Sequence, residues 1–109
     1  MPAYVVIDIE VTDPVAFGEY VRIASPILEA YGGRLLASGP AVGLEGDWQP
    51  RGLTVLEFPS LEQAQQWHAA PAYQAPKRLR QRAARCHAAV VEAVTSHALD
   101  RAGGDEAPR

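Results

Sequence analysis

The 109-residue chain contains a single cysteine, Cys86, so no disulfide bond can form within it. The spacing of its cysteine and histidines does not resemble a zinc site, and there is no cofactor motif, so we expect neither a metal nor a cofactor. No run reaches the roughly 18 consecutive apolar residues of a membrane helix, and no basic segment precedes the first apolar run. These absences predict a cytoplasmic protein with no membrane partner.

Strong charge of either sign is also missing. The formal net charge is −3, with 48% hydrophobic and 21% charged residues, which is ordinary for a globular protein. Duplex-binding proteins usually carry a net basic domain, so we expect no nucleic-acid partner. The bases are unevenly spread, however, and five of them lie in "KRLRQRAAR" (residues 77–85).

Apolar periodicity predicts four strands and two well-marked helices. The first helix begins with Asp13 as its N-cap and ends at Gly32. The second begins after Ser60 and ends at Pro71. A short basic helical segment is predicted over residues 77–84, and the strands are predicted over Ala3–Val11, 34–38, 53–58 and 87–94.

A broken, glycine-rich segment, "GPAVGLEGDWQPRG" (residues 39–52), lies between the second and third strands, where a hairpin loop is expected. The pattern leaves open whether residues 42–45 extend the second strand. Asp47 is expected to cap its own turn. An exposed tryptophan is costly, so we expect Trp48 to fold over its own subunit or onto a partner.

The element order βαββαβ predicts a ferredoxin-like α+β domain with an antiparallel four-stranded sheet. We assign this single domain to residues 1–97 and a flexible polar tail to 98–109. Helices cover one face of such a sheet, and the other face is too apolar to be fully exposed to solvent. The candidates for that face are Tyr4, Val6, Leu36 and Val55. A second copy of the chain is the simplest cover, so we expect a homodimer.

The predicted strands carry ionisable residues in mid-run. These are Asp8, Arg34, Glu57 and Glu92. Carboxylates pressed together raise one another's pKa, which would make Asp8 or Glu57 a general base near neutral pH. The alternative, favoured because structural ion pairs are common, is that Arg34 only neutralises them.

Histidine is the natural proton carrier near neutral pH, and His87 is the best-placed candidate because it abuts the inward register of the fourth predicted strand. His68, near the end of the second helix, fits a helix-dipole role, and His97 lies near the tail. No motif fixes a base beside Cys86, so we interpret it as a small buried apolar residue rather than a nucleophile.

The basic run and the aromatic residues offer binding groups. Arg78, Arg82 and Arg85 are predicted to share a helical face, which is interpreted as solvated, with an anionic ligand or partner as the alternative. Arg80 lies on the opposite side and is a candidate anion contact. Five aromatic residues lie on or near the helices: Phe17, Tyr20, Tyr31, Trp67 and Tyr73. Core packing is the favoured interpretation, and the lining of a pocket for a planar ligand is the alternative.

Six segments, taken in order and spacing, resemble the domain-of-unknown-function family 1330, a set of small bacterial proteins. They are "YVVIDIEVTDP", "YGGRLLASG", "LEGDWQP", "LTVLEFPSLEQA", "PAYQAPKRLRQRAA" and "VVEAV", within about residues 2–94. The positions that match the family pattern are Asp8, Tyr20, Gly33, Arg34, Gly39, Glu45, Gly46, Trp48, Glu57, Tyr73, Leu79 and Arg80. The sequence departs from the pattern at Ala70 and Ala72, where a serine and an acidic residue are usual.

The resemblance implies a dimeric α+β barrel, antibiotic-biosynthesis-monooxygenase-like, whose relatives include cofactor-independent monooxygenases, haem-degrading enzymes and lactone isomerases. It implies no catalytic set that can be transferred. We hypothesise a homodimer that binds a small aromatic or carboxylate-bearing molecule, as a cofactor-independent enzyme or, alternatively, as a non-catalytic binding or regulatory module. The candidate catalytic residues are Asp8, Glu57 and His87, and the candidate ligand-binding residues are Tyr20, Arg34, Trp48, Tyr73 and Arg80.

Overall fold

The structure of the protein is a computed structural model that describes residues 1–94. His97, the predicted domain end and the predicted tail lie outside the described residues. The elements are β1 (Ala3–Val11), α1 (Pro14–Ala30), β2 (Arg34–Pro40), β3 (Gly52–Phe58), α2 (Leu61–Ala69), α3 (Pro71–Ala83) and β4 (Ala84–Glu92). This order confirms the predicted βαββαβ fold, with its second helical unit divided in two. Among these described elements no helix has both the length and the apolar character needed to cross a membrane.

β1 lies in the interior of the antiparallel sheet, whose strand order is β2-β3-β1-β4. It pairs with β3 over Ala3–Asp8 and with β4 over Ala3–Val11. β2, at one edge, pairs with β3, and its register shifts between Leu35 and Ala37. β1 therefore holds both halves of the sheet together.

Alternation along β1 separates two faces of the sheet. Val5 and Ile7 are buried in the core under the helices, whereas Tyr4 and Val6 are half-buried on the opposite side. Cross-strand partners share a face, so Val55 lies beside Val6, as predicted. We call this second side the open face. Its residues on β1, β3 and β4 are Tyr4, Val6, Asp8, Glu10, Leu53, Val55, Glu57, Arg85, His87, Ala89 and Val91.

The hydrophobic core lies between the sheet and the three helices. Phe58 and Tyr73 are its largest completely buried side chains. The ring centroid of Trp67 lies 5.3 Å from that of Phe58 and 4.5 Å from that of Tyr73. The predicted aromatic set thus packs in or against the core. Each aromatic pair stabilises the fold by about 0.5–1.5 kcal/mol in addition to the effect of burying its apolar surface.

Side-chain caps begin α1 and α2 where the sequence predicts them. The backbone N–H of Ala16 donates to Oδ1 of Asp13 at 3.1 Å, and that of Gln63 donates to Oγ of Ser60 at 3.1 Å. α1 continues through Pro26 to Ala30, so this proline does not end the helix.

The prediction of a short basic helix over residues 77–84 is wrong in its bounds, because Pro71 begins a helix as well as ending one. α2 ends at Ala69, Ala70 adopts an extended conformation, and α3 begins at Pro71. Proline is well tolerated at the first position of a helix, where its missing N–H has no partner to lose. The basic residues therefore occupy the second half of a longer helix.

Three strands also differ from their predicted bounds, since β2 continues to Pro40, β3 begins at Gly52 and β4 is shifted. β4 spans Ala84–Glu92 rather than 87–94, because it pairs with β1 in continuous register as far as Val11. β2 ends at Pro40, so residues 42–45 belong to the loop and do not extend the strand. The loop is closed where the N–H of Ala41 donates to the carbonyl of Arg51 at 3.2 Å.

Two glycines give a matched test of the packing. A Cβ on Gly33 would lie 2.8 Å from Cε1 of Phe58, whereas a Cβ on Gly18, in α1, would meet nothing within 4 Å. We predict that Gly33→Ala lowers the free energy of unfolding by about 1–3 kcal/mol through overpacking. Gly18→Ala should raise it by about 0.5–1 kcal/mol, because alanine is the better helix former. Urea denaturation measures both, and a Gly33→Ala variant of unchanged stability would contradict this packing.

Candidate functional site

A cavity of about 190 Å³ lies on the helix-covered side of the sheet, between α1, α3 and strands β1 to β3. Its walls are mainly apolar, with contributions from Phe17, Ala24 and Leu56. Tyr20 and Arg80 bring polar groups to the same space. A mostly apolar cavity with a few convergent polar groups is the usual form of a small-molecule site. We call it the interior cavity.

Two tyrosine hydroxyls meet beside the interior cavity. The hydroxyl oxygens of Tyr20, on α1, and Tyr73, on α3, lie 2.7 Å apart and are buried. Burial raises the pKa of Tyr20 far above its ordinary value, and Tyr73 adds to the shift, so the phenol stays protonated. The pair holds two hydrogens and uses one of them internally. One O–H therefore remains able to donate to a further group.

Arg80 brings a buried positive charge to this cavity, since only 4% of its surface is exposed. Within residues 1–94 no carboxylate lies at ion-pair distance from it, and its Nε has no hydrogen-bond partner. Burial by itself lowers the pKa of Arg80, but the neighbouring Tyr73 and a side-chain hydrogen bond to Cys86 raise it above its ordinary value, so the guanidinium stays charged. Buried charges are normally paired, so this arginine is unusual.

A second buried donor lines the same cavity. Trp67, on α2, is 3% exposed, and its Nε1 has no hydrogen-bond partner in the described part of the chain. Most buried polar atoms in proteins are hydrogen-bonded. The two unpaired N–H groups, on Trp67 and Arg80, thus belong to side chains that share one cavity.

Arg80 also lines an outer groove of about 550 Å³ between α2, α3 and β4. Among the other residues of the groove are His68, Arg85 and Cys86. Burial lowers the pKa of His68, and Lys77 and Arg80 lower it further, so this imidazole is neutral near pH 7. Arg80 therefore lies between the interior cavity and a basic outer groove.

Trp48 packs over the open face of its own subunit, one of the two positions predicted. Its Nε1 donates to Oδ2 of Asp8 at 3.1 Å. A shallow pocket of about 460 Å³ lies beside the indole and includes His87, which is the cross-strand partner of Asp8. The indole remains 56% exposed.

The carboxylate cluster suggested by the sequence is not formed. Glu57 is the cross-strand partner of Tyr4, which is roughly 13 Å along β1 from Asp8. Glu92 lies at the far end of β4. Nε of Arg34 donates to Oε1 of Glu57 at 2.6 Å, which is the ion pair that the sequence offered as the alternative.

The structure divides the eight predicted site residues between the two sides of the sheet. Tyr20, Tyr73 and Arg80 are at the interior cavity. Five others lie on the open face or at its edge: Asp8, Arg34, Trp48, Glu57 and His87. The candidate catalytic and ligand-binding groups therefore do not form one site.

No local sequence pattern predicts that Trp67 and Arg80 meet at one cavity. The buried residues of α3 are Tyr73, Pro76, Arg80 and Ala83. Their spacing of three or four residues is that of the apolar stripe of a helix. A basic residue in that stripe is the signal that could have identified Arg80.

Residues 2–94 match the family described as domain of unknown function DUF1330. The chain belongs to this family. No curated protein matches the sequence. Family membership agrees with the resemblance drawn from the six segments and, like it, names no activity.

Solved structures share the fold at low sequence identity. RPA0582, a protein of unknown function from Rhodopseudomonas palustris, is 19% identical with a TM-score of 0.70 over 86% of this chain and 83% of that one. SnoaB, a cofactor-independent oxygenase from Streptomyces nogalater, is 10% identical with a TM-score of 0.63 over 87% and 95%. A dimeric ferredoxin-like protein of unknown function from Thermobifida fusca is 13% identical with a TM-score of 0.59 over 85% and 92%. These similarities show that the DUF1330 chain has the ferredoxin-like fold.

The hydroxyl pair predicts an energetic coupling between α1 and α3. Tyr20→Phe or Tyr73→Phe should each lower the free energy of unfolding by about 1–3 kcal/mol, because the remaining hydroxyl is buried without its partner. The double variant should cost less than the sum of the two. Tyr31→Phe, at a half-buried tyrosine outside the pair, is the control. Chemical denaturation gives the coupling, and strictly additive losses would argue against a direct contact.

Proposed function

We propose that this DUF1330 protein is a cytoplasmic homodimer that binds a small organic molecule with one aromatic ring in the interior cavity. The observation that carries the proposal is an apolar cavity of about 190 Å³ beside the buried hydroxyl pair of Tyr20 and Tyr73. An apolar cavity of about 150 Å³ already admits benzene, so this one suits a single substituted ring.

The surroundings of the cavity support entry between α1 and the β2 edge. Val21 and Ser25 of α1 and Leu35 and Ser38 of β2 line the cavity and are exposed. β2 is exposed along its whole length, so no described helix covers it fully. A ligand entering there passes apolar side chains first and then reaches Tyr20.

A second candidate function is conversion of a small molecule without a cofactor. One observation that favours it is the pairing of Asp8 and His87 across two strands, beside the open-face pocket and under Trp48. A carboxylate and an imidazole are the groups that most often transfer protons near neutral pH. SnoaB, which shares the fold, is a cofactor-independent oxygenase. Glu57 is the weaker candidate because Arg34 already neutralises it.

The open face supports the homodimer. Trp48 is 56% exposed and Val91 is 59% exposed on this side of the sheet. Exposed apolar groups gathered on one face are typical of an interaction surface. The Thermobifida fusca protein of the same fold is dimeric. Face-to-face packing of two copies would bury Trp48 and enclose the Asp8 and His87 pocket between them.

Two valine variants test the homodimer. Val91→Glu places a charge on the open face and should convert the protein from a dimer to a monomer, because burying an unpaired carboxylate is costly. Val15→Glu makes the same change on α1, where the side chain is 86% exposed, and should leave the dimer intact. Sedimentation equilibrium should give twice the chain mass of 11.7 kDa for the wild type and the control. A monomeric wild type would contradict the dimer.

A pair of alanine variants on one helix tests the cavity. Ala24 is buried and lines the cavity, so Ala24→Leu should fill part of it and weaken binding of phenol, a neutral single-ring probe, by about tenfold or more. Ala30→Leu, at the exposed end of α1, is the matched control. NMR titration measures both affinities, and phenol binding unaffected by Ala24→Leu would place the ligand elsewhere.

A further inference from the structure

We infer that the ligand of the interior cavity is an aromatic acid in its anionic form, and that its acid group is the counter-ion of Arg80. This inference rests on the proposed binding function and deepens it by naming the class of ligand. It gives a role to Arg80, whose charge is buried without a neutralising carboxylate.

The charge of Arg80 is isolated from the carboxylates of the described chain. Arg80 is 96% buried, and no carboxylate of residues 1–94 is at ion-pair distance from it. The other ion pairs of the described chain use exposed arginines, Arg22, Arg34 and Arg85. A buried guanidinium without an anion is disfavoured, because it has lost much of its water and has gained in exchange a weak hydrogen bond to Cys86. Binding an anion removes this penalty.

The unpartnered hydrogen-bonding groups at the cavity are donors. Nε of Arg80 and Nε1 of Trp67 are buried donors without a described partner, and both side chains line the cavity. When Tyr73 donates within the hydroxyl pair, the O–H of Tyr20, which lines the cavity, is free to donate. Several donors and a positive charge select a group that only accepts, which is the property of a carboxylate. Amines and other cationic ligands are disfavoured.

The charge of the helix that carries Arg80 also favours an anion. α3 contains Lys77, Arg78, Arg80 and Arg82 and no acidic residue. Arg80 forms part of the outer groove as well as of the cavity, and Arg85 lies in that groove. Arg85 is paired with Glu10, so the charge that favours an anion comes from α3, whose clustered basic residues concentrate ligands of the opposite sign. The cavity volume of about 190 Å³ is enough for a single-ring acid of the size of benzoate.

Removing the charge of Arg80 should not destabilise the ligand-free protein. Replacing a buried charge by an apolar side chain of similar length often leaves a protein as stable or makes it more stable. Arg80→Met should therefore keep or raise the melting temperature of the ligand-free dimer while removing its preference for an anion. If Arg80 instead stabilised the fold, Arg80→Met would lower the melting temperature.

The test compares benzoate with benzamide, a neutral molecule of nearly the same shape, by calorimetric titration of the purified full chain. The wild type should bind benzoate about 10-fold or more tightly than benzamide, as expected for a hydrogen bond to a charged group. Arg80→Met should bind benzamide like the wild type and lose the preference for benzoate. Arg80→Lys should keep part of that preference, because it keeps the charge.

Arg78→Met is the matched control, since it removes an exposed arginine from the same helix and should leave the preference for benzoate unchanged. Equal binding of benzoate and benzamide by the wild type would overturn the inference and leave the cavity proposal standing. Binding of neither molecule would overturn both. The wild-type comparison needs no variant, so an Arg80 variant that fails to fold does not weaken the test.

Discussion

The pairing of β1 with strands on both of its sides is the constraint on which the remaining structure depends. Because β1 is hydrogen-bonded to β3 and to β4, its side chains can point only towards the helices or towards the open face. Successive side chains of β1 therefore lie on opposite faces: Ile7 borders the interior cavity, and Asp8 accepts a hydrogen bond from Trp48 on the open face. The proposed ligand and the proposed partner lie on opposite sides of one strand, so either can be disturbed without the other.

The sequence was sufficient for the fold because each predicted element rests on a local physical signal. Asp13 and Ser60 are side chains that satisfy the first N–H groups of a helix, and the structure uses both. The alternation of Ala3–Val11 marks a strand with two different faces, and the burial pattern follows it. Such signals act within a few residues, so a single sequence carries them fully.

The candidate site was less predictable because it depends on contacts between distant segments. Pro71 marks the end of one predicted helix, but the same ring geometry also suits a helix start, so the predicted α3 is too short. With α3 shortened, Tyr73 and Arg80 could not be recognised as members of one buried stripe. The register between β1 and β3 decides that Asp8 and Glu57 are apart, and no local pattern specifies which residues of two strands become partners.

The two tryptophans of the chain have a consequence for spectroscopy. Trp67 is buried at the interior cavity, and Trp48 is 56% exposed on the open face. An indole in a dry environment emits at shorter wavelength than one in water, so the intrinsic fluorescence of the chain contains two separable reporters. Trp67 would report the binding of the proposed ligand in the cavity, and Trp48 would report the proposed partner on the open face. Because the sheet lies between them, neither emission is a proxy for the other.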